Sequence, residues 1–571
     1  MLGPLAKAGG LLEVKSADMT VTAPAPVPVA EHRAPSASGG RMSRAFALTA
    51  AEAVVSVLAA LLLTVLSKRL DVNPLQRIGQ VSGLAGIQLR LLVLLAATVV
   101  LYLVLSRWMP GAAVRIGAAA VAGLATGVTA SGSVVALRGT SWPYNGSGGD
   151  IGNLQQWAYH VIDGVPLPAE YPPGFPHVLA WSSQLFFDGN ASLAVKWVMI
   201  GFLAVSGPVA YLAWRMLLPP LWALGIGVTA SLTLIEPYKP YSPLVLIVVV
   251  PLLAKLAQVV TDSSQLGRRR SPAIGAGLGA LLAALFLLYA GWFVWSAVGV
   301  IVLFAVVLTG RARSGGKRAL LDALLPLAAA SVVFLALAGP YLVRLLGASG
   351  ATRDTYFYFD TATDPAYFAS SGTAFPGPLR SLGWPLPGEL GGVGLFTILL
   401  VVGLGAAIAL GLRRPLVLTL AACTGSAFLL RYWYASHMAA DGAVQLYPRT
   451  SLQIVYCMLA LSGVAVHLGV QRVTAWTRAN EVRLPGREAL RAAGHRPRAA
   501  VIGVLVPLGL LFGSAGSSTA DAYMPRPPSE NTLGTLAWTA HTTGLPDGKC
   551  PKYAPHGKCT PYDPLKRTKK N

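Results

Sequence analysis

Long apolar segments recur along almost the whole chain of 571 residues, and they limit its possible folds more than any other feature. Hydrocarbon offers the backbone no hydrogen-bond partner, so a segment that crosses a bilayer must be a helix of roughly 20 residues or a strand of a closed barrel. Thirteen runs can be extended to helical length, with approximate cores at Phe46–Leu66, Leu91–Ser106, Ile116–Leu137, Leu193–Leu217, Leu221–Ile235, Pro243–Leu256, Ile274–Tyr289, Val294–Leu308, Leu324–Leu337, Val393–Leu412, Leu416–Leu430, Leu452–Val470 and Ala500–Leu511. The sequence therefore predicts an all-α polytopic membrane protein, a bundle of about 13 transmembrane helices with extracytoplasmic loops.

The composition supports a membrane location and excludes several classes of soluble protein. Hydrophobic residues make up 54% of the chain and charged residues only 12%, which is too little charge for a soluble domain of this length. The net charge of +22 would suggest a nucleic-acid partner in a soluble protein, but most Lys and Arg lie in short segments between apolar runs. That distribution indicates membrane topology, so the expected partner is the lipid bilayer and not nucleic acid. The sequence contains no zinc-ligand spacing, phosphate-binding P-loop or dinucleotide fingerprint.

Charge and apolar runs divide the chain into three segments. Residues 1–45 are rich in Ala, Pro, Ser and Gly and are predicted to be a disordered cytoplasmic segment. Residues 46–516 are predicted to form the transmembrane domain, and residues 517–571 a short extracytoplasmic tail. The Lys/Arg bias places the N-terminus in the cytoplasm and the C-terminus outside, in a multi-pass membrane protein.

One loop departs from this bias. Lys68, Arg69, Arg77 and Arg90 fall in the first outside loop, where basic residues are disfavoured. Either this loop lies on the membrane as an amphipathic segment, or the first helix is misplaced.

The four cysteines fall into two pairs. Cys423 and Cys457 lie inside apolar runs and are most simply small core residues. Cys550 and Cys559 lie in the polar tail, where an extracytoplasmic location predicts a disulfide between them. The alternative is two free thiols in a disordered tail. The bridge would close a short loop and need not affect activity.

A polar loop at 138–177 contains the first candidate for chemistry. Asp150 lies there among glycines, which allow a ligand to approach the backbone closely. Its carboxylate could accept a proton from a substrate hydroxyl as a general base, and the alternative is that Asp150 caps the following helix. Three further residues of this loop are candidates for acceptor contacts: Trp157, Glu170 and Tyr171.

A second polar segment, Glu236–Tyr241, follows the fifth apolar run. Lys239 is a compact cation that could hold a phosphate at the membrane surface, with Tyr238 and Glu236 beside it. Arg449, just before the twelfth run, could bind an anionic headgroup. The alternatives are an interfacial aromatic belt with a snorkelling lysine, and an ordinary interfacial arginine.

The sequence does not decide the roles of two other sets of ionisable residues. Glu52, within the first apolar run, either faces the bundle or marks an error in that helix. Paired carboxylates in the long outside loop could hold a hard divalent cation, although their spacing does not demand one. The charged residues of that loop are Arg353, Asp354, Asp360 and Asp364.

Three short motifs carry a resemblance to a known family: Gly149-Asp150-Ile151-Gly152-Asn153, Tyr171-Pro172-Pro173-Gly174-Phe175 and Glu236-Pro237-Tyr238. Together with the series of apolar helices, they resemble the polyprenyl-phosphate-dependent glycosyltransferases of the GT-C fold. Within that group the chain looks most like the actinobacterial arabinofuranosyltransferases that prime galactan with its first arabinose, the AftA type. The likeness covers roughly Phe46 to Val470.

The resemblance implies a GT-C-like domain over residues 46–516 with an outward-facing active site. It also implies a polyprenyl-phosphate donor of arabinofuranose and a galactan-like cell-wall glycan as acceptor. Asp150 matches the family's loop aspartate, its general base. Positive charge at the leaving phosphate would come from Lys239, Arg449 or a divalent cation.

Two departures from the family concern the acceptor more than the donor. Only a short tail follows the last apolar run, where the family usually has a sizeable extracytoplasmic domain. Gln155 or Gln156 stands where the family has a basic residue shortly after its aspartate.

Two alternatives remain. One is another GT-C sugar transferase, such as a mannosyltransferase, with the same carrier chemistry. The other is a transporter that flips polyprenyl-linked sugars. Transport is disfavoured because the ionisable groups cluster at the outer surface and no internal repeat is apparent.

Overall fold

The predicted all-α fold is confirmed. The computed structural model describes residues 38–348, 395–479 and 496–562. Regular structure in these ranges is helical, with no strand and one isolated bridge between Thr543 and Thr560. The main helices, numbered in chain order, are α1 (Ser38–Ser67), α2 (Arg77–Leu105), α3 (Pro110–Ala136), α4 (Gly149–Ile162), α5 (Gly174–Phe186), α6 (Ala191–Arg215), α7 (Pro220–Leu232), α8 (Tyr241–Thr261), α9 (Arg270–Leu288), α10 (Gly291–Ala348), α11 (Leu395–Gly411), α12 (Pro415–Asp441), α13 (Thr450–Ala479), α14 (Arg496–Ala522) and α15 (Thr535–Thr542).

The chain is a polytopic membrane protein. Ten helices of the described ranges are long and apolar enough to cross a membrane, and α7 and α11 are shorter apolar helices. Helix α10 has 58 residues and bends at Gly315 and Gly316, whose φ and ψ are not helical. The bend divides α10 into two helical parts, which correspond to the two runs that the sequence predicts as separate helices, Val294–Leu308 and Leu324–Leu337. The count of thirteen crossings stays a prediction.

The chain divides into two compact units at Leu48. Of the first unit, the structure describes only the residues from Ser38 onward. Residues 38–45 belong to the predicted disordered segment, but they are helical and form the first turns of α1. The rest of that predicted segment, residues 1–37, lies outside the described residues.

Helix α3 is the most enclosed membrane helix of the unit that begins at Leu48. Its most apolar window is completely buried, and it packs against α2, α6 and α14. Many of its residues are Ala, Gly or Ser, which let neighbouring backbones approach closely. A methyl group at Gly123 would collide with the carbonyl oxygen of Ser56, and one at Gly132 would collide with Ala520. Close packing therefore fixes α3, and with it the polar loop that begins where α3 ends.

Glu52 faces the bundle, which answers the question left open by its place in an apolar run. It is fully buried. Arg115 donates to both carboxylate oxygens at 2.8 Å, and Arg215 Nε lies 3.3 Å from Oε1. Tyr211 adds a hydrogen bond from its hydroxyl at 3.2 Å. The expectation that ionisable groups cluster at the outer surface is therefore only partly right, since this cluster lies in the membrane domain.

The basic residues after α1 divide between a short connection and helix α2, which contains Arg77 and Arg90. Residues 68–76 are a short connection between α1 and α2. Arg77 pairs with Asp521 at the end of α14 at 2.5 Å, and Arg138 pairs with Asp71 at 2.8 Å. These two ion pairs join the start of α2 to the end of α14, and the residue after α3 to the connection between α1 and α2. The two carboxylates offset part of the positive charge at this end of the bundle.

Candidate functional site

Asp150 is the second residue of α4, directly after a tight loop. Gly146 and Gly149 of this loop have positive φ angles of 60° and 54°, which favour glycine. A methyl group at Gly149 would lie 3.1 Å from Asn145 Nδ2, a tight contact, so glycine also leaves room for this side chain. Gln155, buried on α4, donates to the carbonyl of Gly146 at 3.0 Å. The loop and α4 therefore hold Asp150 as one folded unit.

Two buried side chains fix the end of α3 that precedes this loop. Lys196 donates from Nζ to the carbonyls of Leu137 and Thr140, at 2.9 and 2.6 Å. His541 Nε2 lies 2.8 Å from the carbonyl of Ala136 and donates to it. Helix C-terminal carbonyls carry partial negative charge and need donors, so a buried ammonium and an imidazole N–H suit them.

The predicted polar tail is folded over its described residues, 517–562. Helix α14 continues to Ala522, and residues 523–562, called the C-terminal cap below, pack against the loop before Asp150. The hydrogen bonds that join them run from Asn145 N to Leu536 O (2.7 Å), Thr140 Oγ1 to Ala540 O (2.8 Å), Trp142 Nε1 to Gly544 O (3.1 Å) and Lys552 N to Gly139 O (2.9 Å). The cap therefore supports the segment that carries the candidate base.

The cap contains the disulfide that the sequence predicts. Cys550 and Cys559 are bonded, with Cα atoms 5.5 Å apart. Cys423 and Cys457 are free and buried, as expected for core residues. Because Lys552 lies inside the bridged loop and contacts the segment before Asp150, the bridge is tied to the site more directly than the sequence suggests.

The carboxylate of Asp150 forms an ion pair with the Nζ of Lys239, from the loop between α7 and α8. The Asp150 side chain is 35% exposed and that of Lys239 is 20% exposed. The N-cap of α4 is Gly148, and no side-chain hydrogen bond caps the helix. Asp150 therefore does not act as a capping acceptor, although its charge stands favourably at the positive end of the helix dipole. Lys239 gives Asp150 a basic neighbour, from a distant loop.

Arg449 brings a second positive charge to the same place. Its Nη1 donates to the Tyr289 hydroxyl at 2.6 Å. Burial, and to a lesser degree the charge of Arg449, lowers the pKa of Lys239 to about 8; the contact with an ionised Asp150 acts in the opposite direction. Burial raises the pKa of Glu236, and Arg449 opposes that rise. The charge on each group thus depends on its neighbours.

Aromatic rings extend this cluster. The hydroxyls of Tyr171 and Tyr241 are 2.6 Å apart. Tyr171 lies against Trp157 with ring centroids 4.1 Å apart, and Tyr241 stacks on Phe175 at 4.0 Å. Tyr241 also contacts Tyr289 edge-on at 6.3 Å. Ring faces with hydroxyls at their edges offer a surface suited to a sugar, which has both apolar and polar faces.

Most of the predicted site residues lie together. The cluster contains Asp150, Lys239, Tyr238, Glu236, Arg449, Trp157 and Tyr171. Glu170 is exposed at its edge and is attached through its backbone, because the Tyr341 hydroxyl donates to its carbonyl at 3.1 Å. The predicted long loop with Asp354, Asp360 and Asp364 lies outside the described residues.

Sequence reasoning missed several supporting residues. Lys196 gave a signal, because a lysine within an apolar run is costly without partners. Tyr241 and Tyr289 gave none, since aromatic residues are common at the ends of membrane helices. Their contacts with Tyr171 and Arg449 join segments that are far apart in the chain.

The residues around Asp150 do not fit a divalent cation. Hard cations take about six or more oxygen ligands, but Asp150 already faces Lys239, and Arg449 adds a second positive charge. Within the described ranges, no group of three or more His, Cys, Asp or Glu side chains could hold a metal ion. Among the described residues, the positive charge beside Asp150 comes from Lys239 and Arg449.

No family model matches this chain, and no curated protein matches its sequence.

Proposed function

We propose that the protein is a membrane glycosyltransferase. In this proposal it moves an arabinofuranosyl residue from a polyprenyl-phosphate donor to a galactan-like cell-wall glycan, on the outer face of the plasma membrane. The observation that carries the proposal is the Asp150 carboxylate beside Lys239 and Arg449, next to an aromatic cluster at one end of a membrane bundle.

The proposed reaction assigns a role to each charged group. Asp150 accepts the proton of the acceptor hydroxyl, whose oxygen forms a bond to the anomeric carbon of arabinose. The bond from that carbon to the phosphate oxygen breaks, and its electron pair remains on the phosphate. The leaving polyprenyl phosphate thereby gains a negative charge, which Lys239 and Arg449 stabilise.

The form of α7 supports a lipid-linked donor. Its thirteen residues, Pro220–Leu232, cover about 20 Å, less than the roughly 30 Å of a hydrocarbon core. Ala223–Val228 form a π-helical segment, a feature frequent at functional sites. The loop that carries Lys239 follows directly. A phosphate attached to a membrane-embedded tail could reach this loop without leaving the bilayer.

The aromatic cluster supports a sugar as the transferred group. Trp157 lies on α4, about two turns after Asp150, and it packs against Tyr171; both rings are partly exposed. A furanose ring could lie on these rings while its hydroxyls face the polar groups. A mannosyl donor would meet the same surface, so the identity of the sugar must come from experiment.

Transport is the second candidate function, and the buried Glu52 cluster is the observation that favours it. Buried ionisable groups in membrane helices often mark transport pathways. This cluster joins α1, α3 and α6 at the opposite end of the bundle from Asp150, and Arg115, Arg215 and Tyr211 surround it. Its role is well explained by ion pairing within the bundle, so we rank transport below transfer.

The test is transfer by purified protein in nanodiscs. Radiolabelled polyprenylphosphoryl arabinose and a galactan oligosaccharide should give a labelled glycan with the wild-type protein. Asp150→Asn should lower turnover by roughly 10²–10⁴-fold, which is the usual contribution of a general base to the reaction rate. Polyprenylphosphoryl mannose in a parallel reaction tests the other sugar.

A matched control separates catalysis from helix formation. Asp163, at the other end of α4, is exposed, and Asp163→Asn should leave transfer unchanged. If Asp150 mattered only for the start of α4, Asp150→Asn would lose about 0.3–1 kcal/mol of helix stability, and turnover by the folded protein would stay nearly unchanged. Near-normal transfer by folded Asp150→Asn protein would therefore contradict the assignment.

A further inference from the structure

The ion pair between Asp150 and Lys239 places two competing demands on the site. A general base needs a carboxylate that is free to take a proton, and a phosphate site needs an ammonium with free N–H groups. In the structure these two groups hold each other. Neither can perform its proposed role fully while the pair is closed.

We propose that the Asp150–Lys239 pair is a lock that the phosphate of the lipid donor opens. The phosphate takes Lys239, and Asp150 is thereby released to act on the acceptor. This inference rests on the proposed function and adds an order of events to it: the donor binds first, and the acceptor is deprotonated only afterwards.

Charge gives the phosphate an advantage over the carboxylate. Asp150 pairs with Lys239 in the closed state, whereas a phosphate at Lys239 is also attracted by Arg449, whose charge acts on Lys239. The hydrogen bond to Tyr289 holds Arg449 in place for a second charge-assisted contact. Lys239 can move between the two partners because its ammonium ends a flexible four-carbon stem.

The same lock resets after transfer. The phosphate leaves with one more negative charge than it had in the donor, so the two cations hold it most strongly at the moment of bond cleavage. Asp150 has then taken the acceptor proton and must lose it to water, which its partial exposure allows. Departure of the lipid phosphate lets Asp150 and Lys239 pair again.

A counterintuitive binding result follows. Asp150 competes with phosphate for Lys239, so removal of the carboxylate should strengthen the binding of polyprenyl phosphate while transfer is lost. A base without this competing role would leave that affinity nearly unchanged. The measurement needs no sugar and no turnover.

The experiment is a double-mutant cycle on the binding of polyprenyl phosphate, without sugar, to purified protein in nanodiscs. Asp150→Asn should bind on the order of tenfold more tightly than wild type, as expected for release of a partly buried ion pair. Asp150→Ser should do the same. In a Lys239→Gln background, binding should be weak, and the further change Asp150→Asn should alter it by less than about twofold.

A matched control removes a carboxyl group without opening the pair. Glu236 lies near Arg449, and Glu236→Gln should tighten binding much less than Asp150→Asn. Unchanged affinity in both Asp150 variants would overturn the lock. So would equal tightening with and without Lys239, or equal tightening by Glu236→Gln, because either result indicates a general charge effect.

The outcomes also separate the lock from the proposed function. If Asp150→Asn tightens binding through Lys239 but the wild-type protein transfers no arabinose, the lock stands and the assigned reaction fails. If the wild-type protein transfers arabinose and Asp150→Asn binds no more tightly, the reaction stands and the lock fails.

Discussion

Loss of the Cys550–Cys559 bridge should loosen the C-terminal cap and, through it, the segment that carries Asp150. The bridge connects residues nine positions apart. For a loop of this size the chain-entropy model gives about 3 kcal/mol of stabilisation. That free energy belongs to the cap, since the bridge lies entirely within it.

The structure indicates where the loosening should appear. Lys552, inside the bridged loop, donates to Gly139, and Gly544 and Thr560 of the cap are joined by a backbone hydrogen bond of 2.8 Å. A loss of about 3 kcal/mol raises the population of the open cap by about a hundredfold. The amides of Lys552, Gly544 and Thr560 should then exchange hydrogen up to about a hundredfold faster.

The assay is hydrogen exchange followed by mass spectrometry on the Cys550→Ser/Cys559→Ser double variant in nanodiscs. Peptides that cover the cap and residues 138–150 should both exchange faster than in wild type, and arabinose transfer should fall. Reductant should act in the same way on the wild-type protein. Cys423→Ser, a change at a free cysteine in a membrane helix, is the matched control.

Two results would refute this reasoning. Faster exchange confined to the cap, with residues 138–150 unchanged, would mean that the cap does not support the loop. Unchanged exchange throughout would mean that the other contacts of the cap hold it without the bridge.

Three further predictions concern the charges of the site, the cap and the topology. Lys239→Ala should weaken donor use more than Lys239→Arg, because the proposed role of Lys239 requires positive charge beside the phosphate. Wild-type kinetics in both variants would indicate that Lys239 is only a snorkelling lysine at the membrane interface. Burial lowers the pKa of His541 from 6.5 to about 4, and the charge of Lys196 acts in the same direction. The neutral imidazole therefore stabilises the cap fully above about pH 6.5, and this stabilisation should be lost as the pH falls from there through about 4. Hydrogen exchange of the cap at pH 7 and pH 4.5 checks this, and a cap equally stable at both values, or a His541→Gln variant with the same pH dependence as wild type, would contradict it. A reporter that is active only in the cytoplasm should be silent when fused after Asn571, because the Lys/Arg bias places that end outside; strong activity would reverse the assignment of every loop.

The sequence by itself determined the class of fold and the types of residue at the site. Each membrane helix could be predicted from its own apolar run, because lipid forces the backbone to form its hydrogen bonds locally. The Cys550–Cys559 pairing followed from the expected compartment and the two residues' place in one tail. The sequence also drew attention to Asp150, Lys239 and Arg449. A charged residue beside a membrane helix is costly unless it is paired with an opposite charge or binds a ligand.

Only the tertiary structure decided how these residues meet. The pairing of Asp150 with Lys239 and the contact of Arg449 with Tyr289 join loops that are distant in the chain. Such contacts depend on how the helices pack, and packing leaves no local pattern that a single sequence displays. The support of the Asp150 loop by the C-terminal cap has the same origin. Two of its hydrogen bonds join backbone groups, which almost any residue type supplies, and the Thr140 and Trp142 side chains find their acceptors in the cap only once the chain has folded.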